Sequence, residues 1–504
     1  MLSRTRHALV LLLLALCLST GATGARAASE KALEDTLARF EEAYEAVSIR
    51  MGEAYWAYYT TDDKGRLEGP KAEFAALFAD PALKTAVGEW YPKRDELRDP
   101  VLRRRVTVWR NMLLFAEVEC SPEIAPLKLE LEARLGAGAP KPGKDEDETE
   151  EMFLRLMKLR NAKAKALGFP DFATLMLDIT ETDAAWFDRF TEDLEKATRE
   201  PYEATLAELR KKTGKETLGF PDLMMLFGQY MARDGDEPGP GEVNRLITET
   251  LGALGYRPGA IPKIVDRDMP EGIGGQGFAV RIPDDVRIVV TPKAALNVRL
   301  HEIGHATQYA RTRVKWPSLK GYEWCFGNGC SAFDEGMAET FAGFAENDDW
   351  LRRKRRLTDD ELARRNEKQR AVTPLMIRYF LAHCRVEIEA YRNPGKSLSE
   401  VRAGLNRRFL LIDADDRPGG MASVITVAYP VYTQNYLLAR IVAFTVHQAL
   451  EKKFGRNYAF DKRVAPFLEK NLFRDGSLLP WRDRLMKGLG TDIDVKGFLA
   501  RYGM

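Results

Sequence analysis

The chain has 504 residues, of which 45% are hydrophobic and 30% charged, a balance that suits a folded globular protein with length enough for a large core. Its formal charge is +1, and it becomes −2 without residues 1–27, which carry Arg4, Arg6 and Arg26 and no acid. Such neutrality excludes an extended nucleic-acid-binding face, and no phosphate loop, dinucleotide fingerprint or internal repeat is present.

Residues 1–27 join a basic start (Arg4, Arg6), an apolar run from Ala8 to Leu18, and a small-x-small site at Ala25-Arg26-Ala27. This is the pattern of a secretory signal peptide, so the expected location is secreted or periplasmic, with residues 28–504 as the mature domain. The run is too short for a stable membrane span, and Leu16 is too bulky to favour a lipid anchor on Cys17. Residues 30–135 read as helices almost throughout. Examples are Ala32 to Met51, with Leu37, Phe40, Tyr44 and Val47 on one stripe, and Val101 to Val118. Gly136 to Glu151, with Gly, Ala and Pro followed by Asp145-Glu146-Asp147-Glu148, reads as an exposed linker. A helix is expected from Glu151 to Leu167, ending at Gly168 and restarting after Pro170-Asp171. Gly235 to Gly241 marks a surface loop. Gly272 to Gly277 then leads into the one clear β signal: Phe278 to Ile282, a Pro283-Asp284-Asp285 turn, and Val286 to Val290, a hairpin.

Directly after it comes Arg299-Leu300-His301-Glu302-Ile303-Gly304-His305, an H-E-x-x-H sequence. On a helix, residues i and i+4 share a face, so both imidazoles reach one ion while Glu302 stands beside them to act on water. Thr291 as N-cap and Pro292 at the first helical position would start this helix, and Leu296, Leu300, Ile303 and Thr307 give its less polar stripe. A catalytic zinc ion takes three protein ligands and keeps a fourth position open. The chain has only five histidines, His7, His301, His305, His383 and His447, so no third histidine follows shortly after His305. The third ligand is therefore expected to be a carboxylate. Glu335, thirty positions after His305, is the favoured one, and Glu339, one turn on, would hydrogen-bond a ligand histidine. Spacing alone lets the two exchange roles.

Four cysteines follow residue 27: Cys120, Cys325, Cys330 and Cys384. Cys325 and Cys330 are a disulfide candidate closing a small loop between the two expected zinc-binding helices, against the alternative of reduced core cysteines. Arg352-Arg353-Lys354-Arg355-Arg356, with acids close behind, reads as a solvated helix face. The remainder to Met504 is again largely helical.

H-E-x-x-H followed by a helix bearing E-G-x-A-E is similar to the gluzincin metallopeptidases. Tyr432-Thr433-Gln434-Asn435-Tyr436-Leu437, then His447-Gln448-Ala449-Leu450, resemble the angiotensin-converting-enzyme-like peptidases, as does the stretch from Thr373-Pro374-Leu375 to Tyr391. Arg160-Asn161 before Gly168-Phe169 echoes the thimet and oligopeptidase F peptidases. Together these cover residues 150–450 loosely. The resemblance implies a mainly α, two-lobed helical zincin with a deep central cleft and a small hairpin beside the zinc helix. It also implies one zinc ion, short peptides as substrates and Tyr436 as oxyanion donor. A cleft-lining strand would make Ala279 and, across from it, Tyr432 substrate-binding positions. The departures are specific. No histidine lies between 306 and 382, Ser423 to Ala428 holds neither His nor Lys, and Asn435 stands where chloride-dependent members carry arginine.

The expected activity is thus that of an exported, monomeric zinc peptidase of oligopeptidase or peptidyl-dipeptidase type. Glu302 would be general base, and His301, His305 and Glu335 the ligands. A zinc aminopeptidase would also need a G-x-M-E-N-type sequence upstream, which is absent. A carboxypeptidase would need a cationic anchor, for which Arg281, Lys293 and Arg440 are the nearby choices. A catalytically silent peptide-binding protein of the same fold is the alternative from another class, and the presence of Glu302 speaks against it.

Overall fold

The computed structural model describes residues 2–504 except 62, 137–142, 232–237, 258, 260–261, 263, 270–273, 329–330 and 413–421; side chains are described from residue 29, apart from 64, 229–231, 240 and 331. The side chains of the expected signal peptide therefore lie outside the described residues, and no described helix is long and apolar enough to cross a membrane.

Among the described residues the chain is helical nearly throughout, with one small sheet. The elements that build the site are α1 (Leu2–Thr61), α2 (Pro100–Glu119) and α3 (Lys144–Ala166), then three strands, then α4 (Leu296–Arg311), α5 (Ser331–Phe344), α6 (Asp359–Arg392) and α7 (Gln434–Phe454). Local chemistry accounts for their starts. Asp99 accepts from the Val101 N–H ahead of Pro100 at the first position of α2. Thr358 and Glu361 form a capping box at the start of α6.

Two expected boundaries are corrected. The acidic run is not linker, since α3 begins at Lys144. Asp145, Glu146 and Asp147 occupy its first turn, where the helix dipole favours them, and Arg134 pairs with Asp145 and Glu148. Thr291 and Pro292 do not start α4. The Ala294 N–H bonds back to Thr291 O (2.9 Å), so Thr291 to Ala294 is a tight turn with proline at its second position. The helix follows from Leu296 behind Ala295, without a side-chain cap. Arg299 supplies the missing order, donating to the carbonyls of Thr291, Pro292 and Ala294 and pairing with Asp266.

The hairpin forms as expected and gains a partner. β2 (Gly275–Arg281) runs antiparallel to β3 (Asp285–Val290), and β1 (Ile264–Asp266) lies parallel on the other side of β3. The order β1-β3-β2 leaves β2 at the edge, over α4. One apolar cluster runs from Leu33 to Phe498 through all the helices named, and a smaller one, Phe278, Val280 and Val289, packs on Tyr55, Trp56, Tyr59 and Trp324. The two helices expected to bind metal are drawn together by Gly304, where a Cβ would stand 2.7 Å from the Ala338 Cα of α5. That close approach places H-E-x-x-H against E-G-x-A-E.

Burial sets the acid limit of this packing. His447 on α7 donates from Nε2 to Thr340 O of α5 (3.0 Å) and accepts at Nδ1 from the Tyr458 hydroxyl (3.1 Å). Its pKa is lowered to about 4 by burial. Because the folded value lies below the ordinary 6.5, its stabilisation is complete above pH 6.5 and is lost as pH falls through about 4. Glu387 acts in the opposite sense: burial pushes its carboxyl up to about 7, so its contribution is full below 4.5 and lost as pH rises through 7. Urea denaturation should therefore show wild type losing about 2–3 kcal/mol more than His447→Gln between pH 7 and pH 4.5. Equal losses in the two proteins would refute the assignment to His447.

Candidate metal and catalytic site

The histidines of α4 and the glutamates of α5 meet at the wall of a cavity of about 1890 Å³. His301 and His305, one turn apart, hold their rings 4.9 Å apart and nearly perpendicular. Both Nε2 atoms converge on Glu335 Oε2, His301 at 3.4 Å and His305 at 3.8 Å. These three ligand atoms form a group of metal-binding size, all within 4.8 Å of one another. Glu339, one turn beyond Glu335, faces the other nitrogen of His301, Nδ1, at 3.3 Å. The structure thus separates two carboxylates that spacing left interchangeable: Glu335 lies with the converging nitrogens and Glu339 behind His301.

The donor set suits a divalent cation on its own terms. Glu335 Oε2 is buried and has no hydrogen-bond partner, while Oε1 accepts from the Tyr432 hydroxyl at 2.6 Å. Glu302, Glu335 and Glu339 crowd two imidazoles, and their demand for positive charge shows in His301. Burial works to lower its pKa, yet the contacts to Glu335 and Glu339 raise it well above 6.5. His305, under burial alone as the main cause, drops to about 4, the neutral form a metal ligand requires. Glu339 is held at about 2: burial opposes, and Arg440, then His301, overcome it.

Glu302 is buried beside the two histidines, its carboxyl pushed up to about 7 by burial. The Gly277 N–H of β2 faces it, and a Cβ at Gly275 would stand 2.8 Å from its Cγ, so the glycine pair lets the edge strand close down on this carboxylate. A carboxyl near 7 is poised to take a proton and give it back.

Tyr436 lines the cavity, half-buried, with no hydrogen-bond partner for its hydroxyl among the described residues; its ring lies 5.5 Å from that of Tyr432. Tyr432 lines the cavity as expected, and its hydroxyl is committed to Glu335, so it also orients a candidate ligand. Tyr432→Phe is expected to weaken zinc binding by about 10–100-fold in a chelator competition. An unchanged affinity would show the bond to be incidental. Ala279 is corrected: it is buried and paired with Val286, and the cavity is lined instead by Gly274 to Gly277. Cys325 is a free, buried thiol that packs against Met112 O and Phe326 O, so the bridge to Cys330 is not its state; Cys330 itself lies outside the described residues. The basic run is exposed at Arg352, Arg353 and Arg356, as a solvated face should be, and part of it also borders the cavity. Arg352, Lys354, Arg355 and Arg356 are among the residues lining the cavity, with Lys354 on Glu249 and Arg352 on Asp349 and Asp359. Of the three anchor candidates only Arg440 reaches the cavity. Glu323 and Gln276, which the sequence did not single out, also line it.

The segment feeding the tyrosines is held firmly. Arg160 donates to Val427 O (2.8 Å) and Thr426 O (3.3 Å), and Glu387 accepts from the Val431 N–H (2.8 Å). Val431 itself sits at φ 51°, a costly backbone for a β-branched residue, directly before Tyr432.

No family model matches the chain, and no curated protein does. Solved structures match over nearly the whole length. Metallocarboxypeptidase 1 of Trypanosoma cruzi superposes with a TM-score of 0.66 at 13% identity, covering 94% of this chain and 99% of that one. A Pyrococcus furiosus carboxypeptidase gives 0.65 at 14%, covering 93% and 98%, and an M32 carboxypeptidase from Deinococcus radiodurans R1 gives 0.62 at 14%, covering 94% and 99%. At these identities the likeness is one of fold. The fold is the mainly α, zincin-like one expected, shared here with carboxypeptidases and not specifically with the converting-enzyme-like or thimet peptidases.

Proposed function

We propose that the chain is an exported zinc-dependent peptidase that hydrolyses short peptides, acting from the C-terminal end as its structural neighbours' names suggest. The observation that carries this reading is the convergence of His301, His305 and Glu335 beside buried Glu302 at the wall of a deep cavity. Zinc supplies Lewis acidity there, polarising a carbonyl and acidifying water. The chain's own residues do the rest. Glu302 takes the proton from the attacking water and delivers it to the departing amine nitrogen. Tyr436, with its unpaired hydroxyl, donates to the developing oxyanion. Glu339 fixes the orientation of His301, and Tyr432 that of Glu335. Arg440, one turn after Tyr436 and facing the cavity, is the cation suited to a C-terminal carboxylate. The basic and apolar pattern of residues 4–27 supports export, to be checked by the N-terminus of the mature protein.

The test is mass spectrometry of products from a mixed peptide library, with and without a chelator. Single residues lost from C-termini support the carboxypeptidase form, dipeptides the peptidyl-dipeptidase form, and internal cuts an oligopeptidase. No cleavage by the zinc-loaded protein would overturn the enzyme reading in favour of a peptide-binding protein.

A further inference from the structure

Glu323 stands out among the groups that the proposed reaction leaves unused. It lines the cavity, and one of its carboxylate oxygens, Oε1, is buried with no hydrogen-bond partner. Its other oxygen accepts a long bond from Gln276 Nε2 at 3.4 Å. Among the described residues no cation pairs with it; the charges it feels are those of Glu302 and Asp334, and burial drives its carboxyl up to about 8. A buried carboxyl without a counter-charge keeps its proton, and it ionises where a cation arrives to pair with it.

Its surroundings indicate what arrives. The Ala279 N–H of β2 faces Glu323, as the Gly277 N–H faces Glu302. Residues two apart along a strand point the same way, so the two carboxyls meet N–H groups spaced about 7 Å apart along one edge. That is the span of two residues of an extended peptide. The edge itself is therefore not open for strand pairing at these positions, and the carboxylates face whatever lies beside it. Aromatic rings lie within electrostatic reach of Glu323, and one of them, Tyr429, lines the cavity with it. Tyr55 stacks on Trp324 with centroids 4.8 Å apart, Tyr59 packs on Phe278, and Tyr55, Tyr59 and Tyr429 all have their hydroxyls made less acidic in part by the charge of Glu323. Tyr429 also interacts with the Gln276 amide and lines the cavity. A carboxylate set among electron-rich rings is the recognition chemistry of an organic cation.

We propose that Glu323, with Gln276 and Tyr429, forms a subsite for a cationic group of the peptide, one or two residues from the bond that is cut. The group is an ammonium or guanidinium, supplied by a lysine or arginine side chain or by a free α-amine. The proposal rests on the peptidase reading and names its substrate class.

The experiment uses the zinc-loaded protein and short peptides identical except for lysine, norleucine or glutamate at each position flanking the scissile bond, with free and acetylated N-termini. Wild type is expected to favour lysine over norleucine at least tenfold in kcat/KM at one position. Glu323→Gln should bring that ratio near one, and Glu323→Lys should turn the preference toward glutamate. Where the wild-type lysine-to-norleucine ratio is near one, a tenfold or larger fall in kcat/KM on N-acetylation that Glu323→Gln abolishes would support the subsite and assign the cation as the α-amine. A lysine-to-norleucine ratio and a free-to-acetylated ratio that are both the same in wild type and Glu323→Gln overturn the proposal while leaving the peptidase reading standing. Calorimetry of the same peptides on Glu302→Gln, with and without Glu323→Gln, separates the two claims. If nothing is cleaved, the peptidase reading falls. A lysine preference in binding that disappears with Glu323 then upholds the subsite by itself, and equal binding or none rejects it.

Discussion

Glu302→Gln is expected to lower kcat/KM by about 10²–10⁴-fold while the protein still takes up one zinc ion per chain. The two halves of this result test different things. Glutamine has nearly the shape of glutamate but cannot accept a proton from water, so lost turnover reports proton transfer. Retained zinc reports that His301, His305 and Glu335, whose ligand atoms converge without Glu302, are sufficient to hold the ion. Glu335→Gln should give the complementary pattern, with zinc lost along with activity, because it removes the negative ligand on which both Nε2 atoms converge. Metal content by inductively coupled plasma spectrometry, read beside kcat/KM on one peptide, distinguishes the cases. If Glu302→Gln kept more than a tenth of the activity, another base would have to act, and the H-E-x-x-H geometry would be a metal site only.

Much of this arrangement was legible in the sequence because helical spacing is rigid. His301 and His305 at i, i+4 and Glu335 and Glu339 at i, i+4 each define one helix face, and the structure turns those faces toward each other. What the spacing left undecided, which glutamate joins the two Nε2 atoms, depends on how the two helices cross. That crossing is set by a contact at Gly304 with no signature of its own. The hairpin was readable from its β-branched residues, but the side of β2 that meets the cavity was not. Ala279 turned inward while Gly275 and Gly277 allowed the strand to descend onto α4. Thr291-Pro292 failed as a helix start because the same residue pair also begins a tight turn, and the Arg299 side chain stabilises that alternative. Glu323 and the cavity-facing part of the basic run were invisible for a simpler reason. Glu323 lies in a turn and Arg352 to Arg355 on a short π-helix; tertiary packing brings both to the cavity, and no local period announces it. The resemblance to converting-enzyme-like peptidases drew attention to Tyr432 and Tyr436, yet only the structure shows that one hydroxyl is committed to Glu335 and the other is not.

Arg160→Met should be the most damaging substitution outside the site, with an expected loss of about 3–5 kcal/mol of stability. Arg160 is fully buried and forks onto Glu119, Nε to Oε1 at 2.7 Å and Nη2 to Oε2 at 2.8 Å. The same guanidinium donates to Tyr391 OH on α6 and to the carbonyls of Thr426 and Val427. One side chain on α3 thereby joins α2, α6 and the segment that carries Tyr432 and Tyr436. Methionine fills much of the volume, so the cost comes from leaving Glu119 buried with Lys128 as its remaining partner and from uncovering two carbonyls. Adding Glu119→Leu to Arg160→Met should recover part of the loss, because it removes the stranded charge, although the carbonyls stay unpaired and Lys128 is left with Glu132 at 3.9 Å. Urea denaturation of the two single variants and the double one measures this directly. Where the Arg160→Met protein is still folded, its kcat should fall more than its zinc affinity. Tyr436 depends on the Thr426 to Val431 segment for its position, whereas His301 and His305 are placed by α4 and its packing on α5. Equal falls in kcat and zinc affinity would instead mean that the α4–α5 pair also relies on Arg160, and that the two halves of the site do not have separate supports.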